Sequence, residues 1–201
     1  MKNYLCINGK TIELTEEQVK ILAQDTETKI SIENDTFKVG KYEFIVLKKD
    51  DEGSVHALLK NSLYDSEFGE NNNDFRESIV KKKLEEFADE IEKILGKGAL
   101  LEHTVDLTAD DGLKDYGTTT SKMSLLTADM YREHVYKIDE HKLDDYWWLV
   151  TPCSTKTHDW NTANKCVAPS GIIGNYYGGS CSYNVGVRPF CIVKSNIFVS
   201  K

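Results

Sequence analysis

Apolar residues along this chain repeat with two different spacings. Between residues 37 and 59 they fall in short runs, Phe37-Lys38-Val39, Tyr42-Glu43-Phe44-Ile45-Val46-Leu47 and Val55-His56-Ala57-Leu58-Leu59, separated by Gly40-Lys41 and Asp50-Asp51-Glu52-Gly53. Short runs rich in Val, Ile and Phe, bounded by Gly and Asp, predict strands, and the close turns make the pair an antiparallel hairpin. From Phe75 onward the apolar positions are Ile79, Val80, Leu84, Phe87, Ile91 and Leu95. That spacing is one face of a helix. Asn71-Asn72-Asn73-Asp74 ahead of it reads as a capping loop, since the spaced acids and closing Glu of an EF-hand are missing.

Leu100 to Leu107 predicts a further strand and Asp106 to Asp111 an acidic loop. Met123 to Thr127 predicts a short strand whose last residue, Thr127, caps a second helix through Asp129, Met130 and Tyr131. Tyr146-Trp147-Trp148-Leu149-Val150-Thr151-Pro152 is the most hydrophobic aromatic run. Adjacent residues on a strand point to opposite faces, so one Trp fills a core and the other covers a second layer. Phe190 to Val193 reads as a core-lining strand, and Ile197-Phe198-Val199 as a further edge strand. His56 is expected packed in its strand, and His134 and His141 at the surface.

The first residues pattern differently. Tyr4-Leu5-Cys6-Ile7 and Thr11-Ile12-Glu13-Leu14 flank Asn8-Gly9, a strong hairpin turn signal. Thr15 with Gln18 forms a capping box, and Leu14 with Val19 a hydrophobic staple, opening a helix that ends near Ala23-Gln24 before a polar linker, Asp25 to Thr28. Residues 1–32 are therefore expected as a small hairpin–helix module, and residues 33–201 as the main domain.

Composition narrows the function. The 201 residues suit one sizeable core plus an appendage. A net charge of −8 opposes a nucleic-acid role, which needs clustered Lys and Arg. Lys81-Lys82-Lys83, followed at once by Glu85 and Glu86, reads as a solvated helix face. No apolar run reaches the length of a membrane span, and the first nine residues lack a secretory leader. The chain is expected in the cytoplasm as synthesised, or carried on a phage particle. Cys6, Cys153, Cys166, Cys181 and Cys191 contain no C-x-x-C spacing, so neither a zinc knuckle nor a redox pair is expected. No cofactor is expected.

The sharpest shift in composition lies near the C-terminus, where Arg188 is the only charged side chain between Lys165 and Lys194. Within it, Gly174-Asn175-Tyr176-Tyr177-Gly178-Gly179-Ser180-Cys181-Ser182-Tyr183-Asn184 is built of Gly, Ser, Asn and Tyr. Binding loops favour that set, because Tyr gives contact area at low entropy cost and Ser and Asn give adaptable hydrogen bonds. Tight turns between buried strands use the same residues. The expected ligand contacts are Trp160, Asn161, Asn164, Asn175, Tyr176, Tyr177, Ser180, Ser182, Tyr183 and Asn184, facing a protein or glycan ligand.

In order along the chain, the strands from Phe37, the Asn71-Asn72-Asn73 helix entry, Lys122 to Thr127, Trp147-Trp148-Leu149, the Gly/Asn/Tyr loop and Gly186-Val187-Arg188-Pro189 resemble a C-type-lectin-like domain family of unknown function from gut bacteria and their prophages. The resemblance covers most of the chain beyond residue 32. It implies an α+β fold with antiparallel strands, two helices and a long loop-rich C-terminal region. In such a domain Arg188 is structural, its guanidinium tying carbonyls together, and Gly186 permits close backbone approach. The fold is shared with the variable proteins of diversity-generating retroelements, whose adenine-directed mutagenesis rewrites a C-terminal cassette. Randomising the adenines of AAY codons never yields Glu, Gln, Lys, Met or Trp, and Val167 to Val193 contains none of these. Trp160 and Lys165 lie upstream, so variable positions there skip them.

The same fold houses formylglycine-generating enzymes, which use paired thiols near a closing G-x-R. Cys181 lies in the corresponding region, but the next cysteine, Cys191, falls beyond Arg188. Calcium-dependent sugar binding uses Glu-Pro-Asn and Trp-Asn-Asp motifs, which are absent; Asp159-Trp160-Asn161 has similar letters in another order. The sequence therefore favours a non-catalytic ligand-binding protein, with a thiol oxidoreductase as the alternative.

Overall fold

A computed structural model of the chain describes residues 3–7, 10–19, 29–175 and 180–199. Strand β1 (Asn3–Ile7) pairs antiparallel with β2 (Lys10–Leu14) in a sheet of their own. Residues 16–19 are helical, and the capping box forms as expected: Thr15 N–H donates to Gln18 Oε1 and Gln18 N–H to Thr15 Oγ1. The Asn8-Gly9 turn, the end of that helix and the linker at 25–28 lie outside the described residues.

The remainder is α+β with mostly antiparallel sheets. The larger sheet runs β10 (Met123–Ser124), β15 (Phe190–Val193), β5 (Val55–Leu59), β4 (Tyr42–Lys49) and β3 (Thr36–Val39), with β7 (Leu100–Leu101) also on β15. The second runs β13 (Ile173–Gly174), β12 (Asn164–Val167), β11 (Trp147–Pro152), β14 (Val185–Val187) and β6 (Tyr64–Ser66), with β11 and β14 parallel. A small ladder pairs β8 (His103–Asp106) with β9 (Thr118–Ser121).

β4 and β11 each hold an unbroken apolar run, residues 44–47 and residues 147–150, that is buried on two faces. In β4, Phe44 and Val46 join one core while Ile45 and Leu47 join a second. In β11, Trp148 and Val150 face the first and Trp147 and Leu149 the second, so the adjacent tryptophans do serve two layers. The long helix Ile79–Leu95 covers the first core with Val80, Leu84, Phe87, Ile91 and Leu95. The helix Ala128–Asp139 covers the second with Ala128, Tyr131 and Ile138. Thr127 caps it, its hydroxyl accepting from Met130 N–H at 3.1 Å.

Four expectations need correction. The helix from Phe75 is interrupted: Phe75–Glu77 is one 3₁₀ turn, and extended Ser78 caps a new helix by accepting from Lys81 N–H. Leu100 to Leu107 is two strands in different sheets, β7 on β15 and β8 on β9. The C-terminal residues form a 3₁₀ turn, Ser195–Ile197, and only Phe198 bridges to Ile30. His134 is mostly covered, its side chain 10% exposed beside Glu133. Among the described residues no helix is long and apolar enough to cross a membrane.

Candidate functional site

The end of the chain supplies scaffold. β14 lies between β11 and β6, and its Gly186 sits opposite Trp147. A Cβ there would press on Ser62 Oγ and stand 2.9 Å from the Tyr146 carbonyl oxygen, so glycine is what lets these backbones approach. Arg188 is fully buried. Its Nε donates to Leu59 O at 2.8 Å, and Nη2 donates to Lys60 O at 2.8 Å and His141 O at 3.1 Å. The guanidinium lies 5.1 Å from the Trp147 ring centroid. Burial lowers its pKa to about 10, leaving it charged at neutral pH. It joins three carbonyls from two separate connections.

The residues expected to contact ligand divide into three groups. Trp160 is 44% and Tyr183 42% exposed, and Asn175, Ser182 and Asn184 are also exposed. Asn161 and Ser180 are half-buried at the base of the same loops, where Ser180 Oγ lies 2.9 Å from Ser182 Oγ. Asn164, the first residue of β12, is at 0% exposure, with Nδ2 3.4 Å from Leu149 O. It belongs to the core, because its position on an inner strand turns its side chain inward. Tyr176 and Tyr177 lie outside the described residues.

Backbone bonds bring the exposed group together. Ala163 bridges Ser180, Cys181 N–H donates to Thr162 O at 2.8 Å, and Cys153 N–H donates to Ala163 O at 2.9 Å. The Trp160 and Tyr183 segments are thus joined edge to edge. A third loop closes the group: Phe68 N–H donates to Cys181 O and Asn73 N–H to Asn161 O. Asp159, in the left-handed region at φ 53°, ends the 3₁₀ turn Lys156–His158 just before Trp160.

Two features here escaped the sequence reading. Asn73, taken only for part of a capping loop, is fully buried beneath Asn161. Its Nδ2 donates to Ser154 O and Ala163 O, both at 2.9 Å, and its Oδ1 accepts from Tyr116 Oη at 2.7 Å. The acidic loop reaches the same place. Asp111 accepts from Ser154 Oγ and pairs with His158 Nδ1 at 2.9 Å. Asp115 accepts from Thr155 Oγ1 and from Thr157 Oγ1 at 2.6 Å. Both carboxyls are held below the usual range, chiefly by the Ser154 bond for Asp111 and the Thr155 bond for Asp115. The partners of Asn73 lie 43 to 90 residues away, so only the run of Asn and Asp was visible locally.

Cys153, Cys166, Cys181 and Cys191 are buried. Burial pushes the Cys153, Cys181 and Cys191 thiols up to about 12. They stay protonated at neutral pH, and a thiol is a poor nucleophile in that form. Among the described residues no group of three His, Cys, Asp or Glu side chains is placed to hold a metal. Chemically the arrangement offers an indole, a phenol, amides and hydroxyls on a hydrogen-bonded base. No protein-family model, curated protein or solved structure matches the chain.

Proposed function

We propose that the chain is a non-catalytic ligand-binding protein with a C-type-lectin-like fold, presenting Trp160, Asn161, Asn175, Ser180, Ser182, Tyr183 and Asn184 to a protein or glycan. The observation that carries this reading is the division of labour between the joined 160–163 and 180–184 segments and the strand that follows them. Trp160 and Tyr183 keep 44% and 42% of their surface in solvent, while Arg188, five residues beyond Tyr183, is wholly buried. Large aromatic side chains left exposed among amides and hydroxyls, over a fixed backbone, are what recognition surfaces use. The α+β architecture, the two amphipathic helices and the loop-rich C-terminal region support the fold assignment.

The chain is further read as the diversified variable protein of a bacterial or prophage retroelement. Close copies of the gene test this directly. Substitutions should concentrate at Asn161, Asn175, Ser180, Ser182, Tyr183 and Asn184 and spare Asn164, Cys181, Gly186 and Arg188. A reverse transcriptase and a near-identical template repeat should lie nearby. Substitutions spread evenly over buried and exposed positions, with neither element in the flanking sequence, would remove the retroelement reading.

The thiol oxidoreductase alternative has less support, because Cys181 is 1% exposed and its thiol is pushed up to about 12. Copper-dependent oxygen consumption that disappears in Cys181→Ala would restore it.

A further inference from the structure

We infer that Asn73 is the positioning residue of the ligand surface: it touches no ligand, and it holds the Trp160 loop in the shape that ligand meets. The inference rests on the surface reading above. Its physical content is local order, which is measured without any ligand.

A primary amide has two N–H donors and one strong acceptor. Asn73 uses all of them at 0% exposure: the donors go to Ser154 O and Ala163 O, and the acceptor takes Tyr116 Oη. Its backbone N–H adds a bond to Asn161 O at 2.9 Å. Ser154 precedes Trp160, while Asn161 and Ala163 follow it. The loop from 154 to 163 is therefore closed at its base on one residue. Ala163 O receives Cys153 N–H as well as Asn73 Nδ2, and Ala163 bridges Ser180, so the same closure reaches the Tyr183 segment.

The nearest substitutes lose part of this pattern. Asp keeps an acceptor for Tyr116 but turns its second carboxylate oxygen towards two carbonyls. Gln adds a methylene in a filled interior. Leu leaves the Ser154 and Ala163 carbonyls without these donors. A loop fixed in advance loses less freedom when ligand arrives, so a held Trp160 contributes more affinity than a mobile one. Arg76 lies 5.6 Å from the Tyr116 ring centroid and is itself fixed by Asp74, which keeps the phenol directed at Asn73.

Asn73→Asp and the milder Tyr116→Phe test the inference, read by amide hydrogen exchange and by acrylamide quenching. Trp147 and Trp148 are at most 2% exposed, so quenching reports Trp160. Exchange at Cys153, Trp160 and Cys181 should rise tenfold or more, and quenching should rise with it, while β4, β5 and β15 stay as protected as in the parent. If Asn73→Asp does not fold, Tyr116→Phe decides alone. Exchange that rises uniformly through the domain, or stays unchanged at these three amides, overturns the inference. Failure of the surface reading is a separate result: Trp160→Ala with Tyr183→Ala would then leave ligand capture intact, whatever the exchange pattern.

Discussion

Two adjoining stretches, residues 180–184 and residues 185–190, hold one charged side chain between them, Arg188, and are opposite in use. Residues 180–184 raise Ser182, Tyr183 and Asn184 into solvent. Residues 185–190 are buried throughout, with Gly186 under a neighbouring backbone and Arg188 tied to three carbonyls. Scarcity of charge therefore has two causes within eleven residues: residues 185–190 are interior and keep only the carbonyl-tied Arg188, while residues 180–184 carry no charge although their last three are exposed. Only the second calls for a functional explanation. A charge-free run in a sequence becomes evidence for a binding surface once its burial is known.

Substitutions that remove scaffold should cost most, and they probe the comparison hardest. Arg188→Met leaves the Leu59, Lys60 and His141 carbonyls without their donors and should destabilise the domain by about 3–5 kcal/mol in chemical denaturation. Arg188→Lys should recover little, since one ammonium lacks the planar fork that reaches all three. A loss below about 1 kcal/mol would deny Arg188 its scaffold role. Gly186→Ala should cost less, about 1–3 kcal/mol, as Ser62 or the Tyr146 peptide gives way to the added methyl.

Much of this scaffold was legible in the sequence. Unbroken apolar runs such as Phe44 to Leu47 and Trp147 to Val150 signal strands covered on both sides, and the Thr127 cap stood where its spacing placed it. Two helix and strand boundaries were missed for an identifiable reason. Ser78 competes with the helix for its own backbone, and Glu102 separates two strands that pair with different partners, β7 with the distant β15 and β8 with the nearby β9. The surface was legible as a composition, through Tyr, Asn and Ser. Its base was not: Asn73 gathers Tyr116, Ser154, Asn161 and Ala163, and pairings of such separation leave no local periodicity. Asn164 illustrates the converse, an expected ligand contact that opens β12 with its side chain in the core.

On the exposed side, stability and binding should part company. Trp160→Ala combined with Tyr183→Ala should shift unfolding by no more than about 0.5 kcal/mol, the range of ordinary surface substitutions, while abolishing capture of glycans on an array or of a displayed protein ligand. Extending the set to Tyr176→Ala and Tyr177→Ala should leave the thermal transition in place. If it collapses instead, those rings belong to the core and the binding face is smaller than proposed.

The smallest effect should come from acid. Asp111 and Asp115 have folded pKa values held below the ordinary carboxylate range by the Ser154, Thr155 and Thr157 hydroxyls and by His158. Groups lowered in this way add stability that is complete above the unfolded pKa, about 4, and is lost as pH falls through the folded values. Their neighbours pull in both directions: His158 lowers Asp111, while the charge of Asp111 raises Asp115. Because both residues are exposed at the surface, screening keeps the energy small, and the change should be local. Between pH 7 and about 5, where both remain ionised, exchange at Trp160 and His158, corrected for its intrinsic pH dependence, should hold steady. Below about pH 4 it should rise before that of β4 or β15. Asp115→Asn should bring this early opening to neutral pH, since the amide cannot accept from Thr155 and Thr157 as strongly as the carboxylate. Simultaneous loss of protection at Trp160 and at β15 on acidification would mean that the exposed loops and the buried strands open as one unit, and the two stretches around Val185 would then differ in exposure alone.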